Sequence, residues 1–424
     1  MNITLPYGKN RVSISFDKKR LAFVLEPSEA SALTDLKTQI KKALRNPIGT
    51  SRLGDLVKAS DSVVILVDDN TRVTPLNKII PHVLAELFEV GVNEENISIL
   101  MAGGTHRDVT GSELRNKLGP DICERLRIEQ HNYRNKKRLS KVGEIDGIPI
   151  EVNATALEAS FLMGIGNIIP HCDFGFSGGA KIVEPGICSY AATAFTHVLC
   201  QVGDEIPLGQ TQNPARLKAE AMAKQAGLAF ILNVVLNPKN EVVSVVAGDP
   251  VKAHREGVKK SRSIYGVSFS EPADIVICSA YPADKDFWQA AKGLAAAYFA
   301  CRKDGIIILT SPCYEGVADE VHSQWTDYWT KMTFAEIRKA TSKANYENEE
   351  LDLIAGGGAA MIARIREHAT VILVSDGISQ EDAARLGFLK SPSLQEATDF
   401  ALRRFEKGSV GIIPMGGDTL PLRR

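Results

Sequence analysis

The 424-residue sequence lacks the features that mark membrane-spanning, secreted and nucleic-acid-binding chains. No apolar run reaches the roughly 20 residues that a membrane-spanning helix needs. Residues 1–9 have no charged start followed by an apolar core, so we expect no signal peptide. The 50 Lys and Arg residues balance 51 Asp and Glu residues, so the basic excess typical of nucleic-acid or membrane-surface partners is missing.

The sequence also has no Cys-x-x-Cys pair among its seven cysteines, which is an odd number. We therefore expect neither a disulfide framework nor a structural zinc site, and we predict that the protein is cytoplasmic. What is present is the composition of an ordinary soluble globular protein, with 44% hydrophobic and 24% charged residues. At this length the chain can form two or three domains, each with a full core.

Alternating strand and helix patterns predict two α/β domains with mostly parallel sheets and an active site in the cleft between them. Residues 1–268 form the predicted N-terminal domain. Residues 274–424 form the C-terminal domain, which closes the cleft, with a C-terminal tail able to pack back on the first domain. Polar residues 268–273 are the predicted linker. The predicted helices are 29–44, 75–90 and 286–300, and the predicted strands are 11–16, 21–25, 62–67, 96–101, 160–166, 230–236, 241–246, 274–278, 305–310, 369–374 and 410–414.

Chemically capable side chains follow two of these predicted strands. Asp69 and Arg72 come directly after residues 62–67, and His106 follows Gly103-Gly104 after residues 96–101. Ligands of open α/β sheets bind beyond the carboxyl ends of strands, so the two loops are predicted to face one crevice. Asp69 would orient a cation or hydroxyl, Arg72 would hold a carboxylate, and His106 would act as acid or base. A helix N-cap with a solvated arginine, and a structural turn histidine, stay open as alternatives.

A third segment places His171 ten residues before Lys181, which lies in Ser-Gly-Gly-Ala-Lys. This segment is not a magnesium-binding phosphate loop, because Ile182 follows the lysine where a Ser or Thr is needed. A lysine among glycines is a candidate for covalent attachment of a cofactor, and His171 could share that site. The alternative for His171 is a loop histidine. Its neighbour Cys172 is interpreted as a buried thiol rather than a nucleophile.

Two further segments are predicted helices. His197 lies on an apolar one, where it is either a core residue or a metal ligand through its neutral imidazole. Cys200 shares its face, and no other ligand is spaced to join them, so a metal here would need donors from a cofactor. Gln289 and Lys292 are three residues apart, beside Trp288, and form one helix face that could close over a carboxylate or be an exposed helix start.

Taken together and in this order, the five segments resemble the nickel-dependent lactate racemase family of 2-hydroxy acid racemases and epimerases. The most specific match runs from His171 to Lys181 and on to His197. The resemblance implies nickel and a pyridinium-3-thioamide-5-thiocarboxylic acid mononucleotide, the nickel-pincer nucleotide, tethered at Lys181. His197 would be the protein ligand to nickel. Three donors from the cofactor and one imidazole make the planar four-coordinate site that nickel(II) favours. Cofactor loading would depend on biosynthesis proteins.

The resemblance also implies a mechanism in which C2 of a 2-hydroxy acid is inverted. His106 and His171 would be the acid/base pair, one removing the hydroxyl proton as the C2 hydride moves to the cofactor. The planar 2-keto acid would then re-present its other face and receive the hydride back. Beside these two histidines, four residues would hold the cofactor phosphate or the substrate carboxylate or support that network: Asp69, Arg72, Gln289 and Lys292.

Trp288 departs from the family pattern, in which a tyrosine precedes the Gln-x-x-Lys pair. The indole of Trp288 is larger than the tyrosine ring, has no hydroxyl and would contact the substrate. The substrate therefore stays open among lactate, malate, longer aliphatic or aromatic 2-hydroxy acids, and sugar acids. Two other functions remain as alternatives, a nucleotide-dependent 2-hydroxy acid dehydrogenase and a non-catalytic cofactor-binding protein. The first lacks a clean Gly-x-Gly-x-x-Gly after a strand, because residues 356–358 follow a helical pattern. The sequence does not indicate the oligomeric state.

Overall fold

The computed structural model describes residues 1–318, 322 and 324–424. No helix in these residues combines the length and apolarity needed to cross a membrane. The strands of the described residues are β1 (Asn2–Tyr7), β2 (Asn10–Ser15), β3 (Leu21–Val24), β4 (Val63–Asp68), β5 (Ile97–Ala102), β6 (Arg127–Gln130), β7 (Leu139–Ile145), β8 (Ile148–Asn153), β9 (Phe161–Asn167), β10 (Pro170–His171), β11 (Gly175–Phe176), β12 (Leu228–Leu236), β13 (Val242–Gly248), β14 (Gly266–Phe269), β15 (Ala273–Ser279), β16 (Cys301–Thr310), β17 (Ala369–Val374), β18 (Leu389–Lys390), β19 (Val410–Ile413) and β20 (Leu420–Arg423). The helices are α1 (Leu36–Arg45), α2 (Leu53–Leu56), α3 (Leu76–Val90), α4 (Gly111–Leu118), α5 (Pro120–Arg125), α6 (Ala154–Glu158), α7 (Tyr190–Gln201), α8 (Pro214–Gln225), α9 (Lys252–Tyr265), α10 (Phe287–Ala300), α11 (Gln324–Asp327), α12 (Phe334–Thr341), α13 (Leu353–His368), α14 (Gln380–Arg385) and α15 (Leu394–Arg404).

The first sheet has the strand order β13-β12-β9-β4-β5-β6, and every pairing except β12 with β13 is parallel. Its central strand β4 is buried along its whole length, as expected for an apolar strand covered on both faces. One apolar cluster packs α1 and α3 on one face, and a second packs α7 and α8 on the other. The predicted α/β fold with mostly parallel sheets is confirmed, as is the hairpin of β12 and β13.

The second sheet has the strand order β18-β17-β16-β15-β19-β3, and all its pairings are parallel. Its edge strand β3 comes from the start of the chain, and the preceding β1–β2 hairpin packs on the same sheet through Leu5 and Ile14. This crossing of the N-terminus to the second sheet was not predicted. The division into residues 1–268 and 274–424 stays a prediction, and the placement of β3 shows that it does not describe every pairing.

One local prediction was wrong, and another stays a prediction. The predicted linker at residues 268–273 overlaps the end of β14, which pairs in parallel with β20 near the C-terminus, and the start of β15 at Ala273, with residues 270–272 between the two strands. The helix predicted for residues 29–44 begins only at Leu36, where the Asp35 side chain accepts a hydrogen bond from the Thr38 N–H at 2.9 Å. The segment before it runs along the first domain, and the Leu33 N–H donates to the Val242 carbonyl. Tertiary pairing, invisible to local pattern, decides both segments.

The two sheets are joined by a shared apolar core in which α13 lies against both α7 and α10. Residues 356–358, three consecutive glycines, lie inside α13 at this contact. A Cβ on Gly357 would come within 2.7 Å of the His197 carbonyl oxygen on α7. The glycines therefore serve close helix packing, and their helical context is as the sequence predicted.

Candidate active site

The predicted site residues line one cavity of about 130 Å³, formed by loops at the end of the first sheet and by α7 and α10. A second cavity of about 310 Å³ adjoins it and shares several of its walls. The structure brings together all nine residues singled out from the sequence, although the roles assigned to them stay predictions. They are Asp69, Arg72, His106, His171, Lys181, His197, Trp288, Gln289 and Lys292.

The parallel order of the first sheet explains this convergence. Strands β9, β4 and β5 are neighbours, so the loops that follow them meet at one edge. These loops carry His171, Asp69 and His106 respectively. The loop after β5 turns at Gly104, whose φ of +59° is the left-handed conformation that glycine adopts freely. Its N–H donates to the Gly186 carbonyl at 2.9 Å and ties the loop to the segment that follows Lys181.

Asp69 orients His106. The buried carboxylate accepts a hydrogen bond from Nδ1 of His106 at 2.6 Å and another from the Thr71 N–H at 3.1 Å. Burial would raise the pKa of Asp69, but attraction to His106 and Arg72 outweighs it and holds the pKa well below its usual value. The ionised carboxylate can only accept, so Nδ1 carries a proton and Nε2 is left for a ligand. Asp69 is no helix cap, since α3 begins after Pro75 without a side-chain cap.

His171 has the opposite surroundings. Its Nε2 accepts a hydrogen bond from the Arg72 guanidinium at 3.2 Å. Burial lowers the pKa of His171 well below its usual value, and the nearby charges of Lys181, Arg72 and Lys292 lower it further. His171 is therefore a neutral imidazole able to accept a proton, whereas His106 is held by the Asp69 carboxylate.

Lys181 lies in a 3₁₀ turn, Gly179–Ile182, with its ammonium nitrogen 3.8 Å from the centroid of the Phe174 ring. The side chain is half-buried, and partial removal from water together with the charge of Arg72 lowers the pKa of Lys181 to about 7. Above that pH the amine is mostly neutral and keeps a lone pair. A neutral lysine amine in an enclosed cavity is chemically suited to form a covalent bond.

His197 is fixed by its own helix. Its Nδ1 donates to the Thr193 carbonyl one turn earlier at 2.8 Å, and its ring meets the Phe174 ring edge-on at 5.9 Å. The proton on Nδ1 leaves Nε2 as the free donor atom for a metal. Burial lowers the pKa of His197 to about 4, so the ring is neutral, as ligation requires. Cys200 is no second ligand of the cavity, because its thiol donates to the His197 carbonyl.

We expect Gly357→Ala to displace α7 and thereby move His197. The new methyl group would overlap the His197 carbonyl, and overpacking of this kind costs about 1–3 kcal/mol. The free energy of unfolding should fall by that amount in a denaturant titration, and metal retained by the loaded protein should fall with it. Gly111→Ala in α4 is the matched control, because a Cβ there meets nothing within 4 Å. Unchanged stability and metal content in Gly357→Ala would contradict this packing argument.

Helix α10 supplies the remaining wall of the site. Asp286 caps it by accepting the Gln289 N–H at 2.7 Å, and the Lys292 ammonium donates to the Gln289 side-chain oxygen. The pair thus shares one face, as its spacing predicted. Burial and the charge of Arg72 lower the pKa of Lys292 to about 8. The Trp288 indole lines both cavities, so its side chain faces the site rather than solvent.

One cluster of metal-capable donors exists among the described residues, with His171, Cys172 and Asp173 atoms within 4.8 Å of one another. Burial raises the pKa of the Cys172 thiol well above its usual value, so the thiol is neutral. The cations Lys181 and Lys292 lie close enough to depress the pKa of His171. This environment disfavours a second cation, and His197 is the better placed metal ligand.

Several wall residues were missed by sequence reasoning. The side-chain oxygens of Asn167 and Gln201 line the smaller cavity and have no hydrogen-bond partner in the described part of the chain. Asp418 and His322 line the larger one. Asn167 ends β9, a position that could have been flagged, whereas Asp418 and His322 come from distant segments without a local signal.

Known proteins resemble this chain along most of its length. The family model described as the lactate racemase N-terminal domain matches residues 7–207, and the lactate racemase C-terminal domain matches residues 269–418. A lactate racemase of Thermoanaerobacterium thermosaccharolyticum is 33% identical over 425 residues, covering 98% of each chain. A lactate racemase of Lactiplantibacillus plantarum is 31% identical over 430 residues, again covering 98% of each.

Solved structures extend the likeness to three dimensions. The lactate racemase apoprotein of T. thermosaccharolyticum superposes with a TM-score of 0.89 at 31% identity, covering 100% of both chains. A Thermotoga maritima protein superposes with a TM-score of 0.71 at 22% identity, covering 94% of this chain and 100% of its own, and shares the fold. With both family domains matched along most of its length, the chain belongs to the lactate racemase family of isomerases.

Proposed function

We propose that this enzyme inverts C2 of a 2-hydroxy acid by reversible hydride transfer, through a planar 2-keto acid, with a nickel-pincer nucleotide tethered at Lys181. The observation that carries the proposal is the pair His106 and His171, which reach one cavity from separate strand ends together with Lys181 and His197. Two acid/base groups with distinct surroundings are what inversion needs, since the two enantiomers present the hydroxyl on opposite sides.

The cavity residues fit such a cofactor. Lys181 offers a half-buried amine that is largely neutral above about pH 7, and His197 offers a free Nε2. The unpaired oxygens of Asn167 and Gln201 are acceptors that await donors, since buried polar groups are normally hydrogen-bonded. When bound, the nucleotide would supply the hydride acceptor and donor for C2, with nickel held in part by His197. Loading by cofactor-biosynthesis proteins and a cytoplasmic location are parts of the proposal.

Arg72 and Lys292 would hold the substrate carboxylate. Both line the two cavities, and each is cationic or readily protonated at neutral pH. An arginine fork binds a carboxylate through two hydrogen bonds, and Gln289 beside Lys292 adds a neutral donor. Because Arg72 also donates to His171, the bound carboxylate and the acid/base group would be held in one fixed relation.

His171 would take the hydroxyl proton of one enantiomer, and His106 would take that of the other. The cationic neighbours of His171 keep it neutral and ready to accept. The Asp69 carboxylate binds Nδ1 of His106 and leaves its Nε2 for the substrate. When the keto group is reduced on its opposite face, the other histidine would supply the one proton that the new hydroxyl needs. Burial of Lys181, His171 and Lys292 limits the water that could intervene.

The dehydrogenase alternative has less support. Its glycine-rich phosphate loop would follow a strand, but residues 356–358 lie in the middle of α13. A protein that only stores cofactor would not need two acid/base groups in its wall. A racemisation screen with cofactor-loaded protein tests the proposal: catalytic inversion of at least one 2-hydroxy acid is expected. Stoichiometric cofactor binding without turnover would contradict it.

Trp288→Tyr should change substrate preference rather than chemistry. The indole lines the cavity next to the carboxylate-binding face, and tyrosine would leave more space and add a hydroxyl. We expect the ratio of kcat/KM between lactate and bulkier 2-hydroxy acids to shift by about 10- to 200-fold, since such pocket changes are worth about 1–3 kcal/mol. Steady-state racemisation of both substrates measures it. If both values fall together or stay level, Trp288 is only a packing residue.

A further inference from the structure

A buried histidine–carboxylate pair lies in the wall of the larger cavity. Nδ1 of His322 donates to Oδ2 of Asp352 at 2.9 Å, and their side chains are 4% and 8% exposed. The other oxygen of Asp352 caps α13 by accepting the N–H groups of Ile354 and Ala355. The carboxylate is therefore held in place by the helix and in turn fixes the imidazole. Because Nδ1 is bonded to the carboxylate, Nε2 is the ring nitrogen left for a ligand.

Aromatic contacts fix the same imidazole in a second direction. The His322 ring stacks on the Trp288 indole with centroids 4.7 Å apart and planes 13° apart. The Trp325 ring then packs edge-on against Trp288 at 4.8 Å. No residue in the described part of the chain hydrogen-bonds Nε2 of His322. An oriented ring nitrogen without a partner thus lines the cavity that also holds His106 and His171.

Charge pairing in this cavity leaves few free cations. Arg107 is paired with Glu113 at 2.7 Å, and Lys285 is paired with Glu315 at 2.9 Å. Of the lysines and arginines that line the cavity, Arg72 and Lys292 remain, and the C1 carboxylate of the substrate requires them. A second carboxylate on the substrate would find no further unpaired lysine or arginine among the described residues of this wall.

Polar groups without a partner, in contrast, are in excess. The Asp418 carboxyl group lines the cavity and makes no hydrogen bond with the described residues, and burial raises its pKa to about 7. The Asp286 carboxylate lines it too and uses one oxygen to cap α10. Together with Nε2 of His322, these groups call for polar partners on the ligand. An alkyl tail would leave them unpaired, whereas hydroxyl groups can both donate to them and accept from them.

We propose that the substrate carries further hydroxyl groups beyond C2, as in an aldonic acid, and that His322 accepts a hydrogen bond from one of them. The inference rests on the proposed racemase function and specifies its substrate class. The volume of about 310 Å³ accommodates a chain longer than that of lactate. Asp352 acts as a positioning residue, since it sets the tautomer and direction of the His322 ring.

The test compares four 2-hydroxy acids with the cofactor-loaded wild-type enzyme: 2,3,4-trihydroxybutanoate, 2-hydroxybutanoate, malate and lactate. The kcat/KM for inversion at C2 of the trihydroxy acid should exceed that of 2-hydroxybutanoate by about 10- to 100-fold, because the unhydroxylated tail leaves polar groups unpaired. Malate should be poorer than the trihydroxy acid. This comparison does not depend on the folding of any variant.

His322→Phe keeps a ring against Trp288 and removes the nitrogen. It should lower kcat/KM for the trihydroxy acid by about 10-fold or more and leave that for 2-hydroxybutanoate within about 3-fold. The matched control is His368→Phe, at the other end of α13, where Nε2 of the histidine donates to the Cys301 carbonyl and lines neither cavity. This control should leave both values unchanged.

The outcomes separate the two proposals. No inversion of any of the four acids by loaded wild-type enzyme would overturn the racemase function itself. Inversion in which 2-hydroxybutanoate or malate matches or exceeds the trihydroxy acid would overturn the hydroxylated-tail inference and leave the racemase function standing. Equal losses for both substrates in His322→Phe would show that His322 only supports Trp288, which also overturns the inference.

Discussion

Replacing His171 by alanine in cofactor-loaded enzyme is expected to lower the rate of racemisation by about 10²- to 10⁴-fold, the range typical of general acid–base groups. The ring is neutral because burial and three neighbouring cations disfavour its protonated form, so it is ready to accept the hydroxyl proton. His106→Ala should cause a loss of the same order, because the opposite enantiomer needs the opposite base. Turnover of each enantiomer, followed by chiral chromatography, measures both effects.

The nickel content of the protein distinguishes these two variants from His197→Ala. His171→Ala and His106→Ala should retain nickel, whereas His197→Ala should lose it, since its free Nε2 is the proposed ligand. His82→Ala on the surface of α3 is the control for a histidine outside both cavities. Near-normal turnover in either His171→Ala or His106→Ala would remove that residue from the mechanism.

Lys181→Ala is expected to abolish activity and cofactor retention together. Protein produced with cofactor-biosynthesis enzymes should show an added mass on the wild-type chain, located at Lys181 by peptide mapping. The amine suits this attachment because burial lowers its pKa to about 7 and keeps much of it neutral. Lys181→Ala should show no added mass.

Lys218→Ala is the matched control for the tether, since Lys218 forms a surface ion pair with Asp146 at 2.7 Å and lines neither cavity. It should keep the added mass and the activity. An adduct on a residue other than Lys181, or nickel retained by Lys181→Ala without cofactor, would contradict the proposed attachment.

Most of the fold, and most of the residues that line the smaller cavity and were singled out, could be predicted from the sequence because both depend on local pattern. The apolar run that became β4, and the helix closed by Gly91 in the left-handed conformation at its end, follow from periodicity and capping. Asp69 and His106 could be grouped because parallel strands present their carboxyl ends together. His171, Lys181 and His197 required the family resemblance, since spacing alone left several interpretations open.

The features that could not be predicted from the sequence depend on contacts between distant segments of the chain. The pairing of β14 with β20, and of β3 with β19, joins residues separated by more than a hundred positions, and no local pattern encodes it. His322 could not be predicted for the same reason. Its proposed role follows only from its stacking on Trp288 and its hydrogen bond to Asp352. Such contacts depend on how the strands and helices pack together, so a local sequence pattern does not reveal them.

The central claim, that C2 is inverted by hydride transfer rather than by removal of a C2 proton, can be tested with one measurement. A single enantiomer of a 2-hydroxy acid deuterated at C2 is incubated with loaded enzyme in ordinary water, and the product of opposite configuration is analysed by mass spectrometry. The account predicts that the inverted product retains deuterium at C2. Inverted product with protium at C2 would show exchange with solvent and would contradict it.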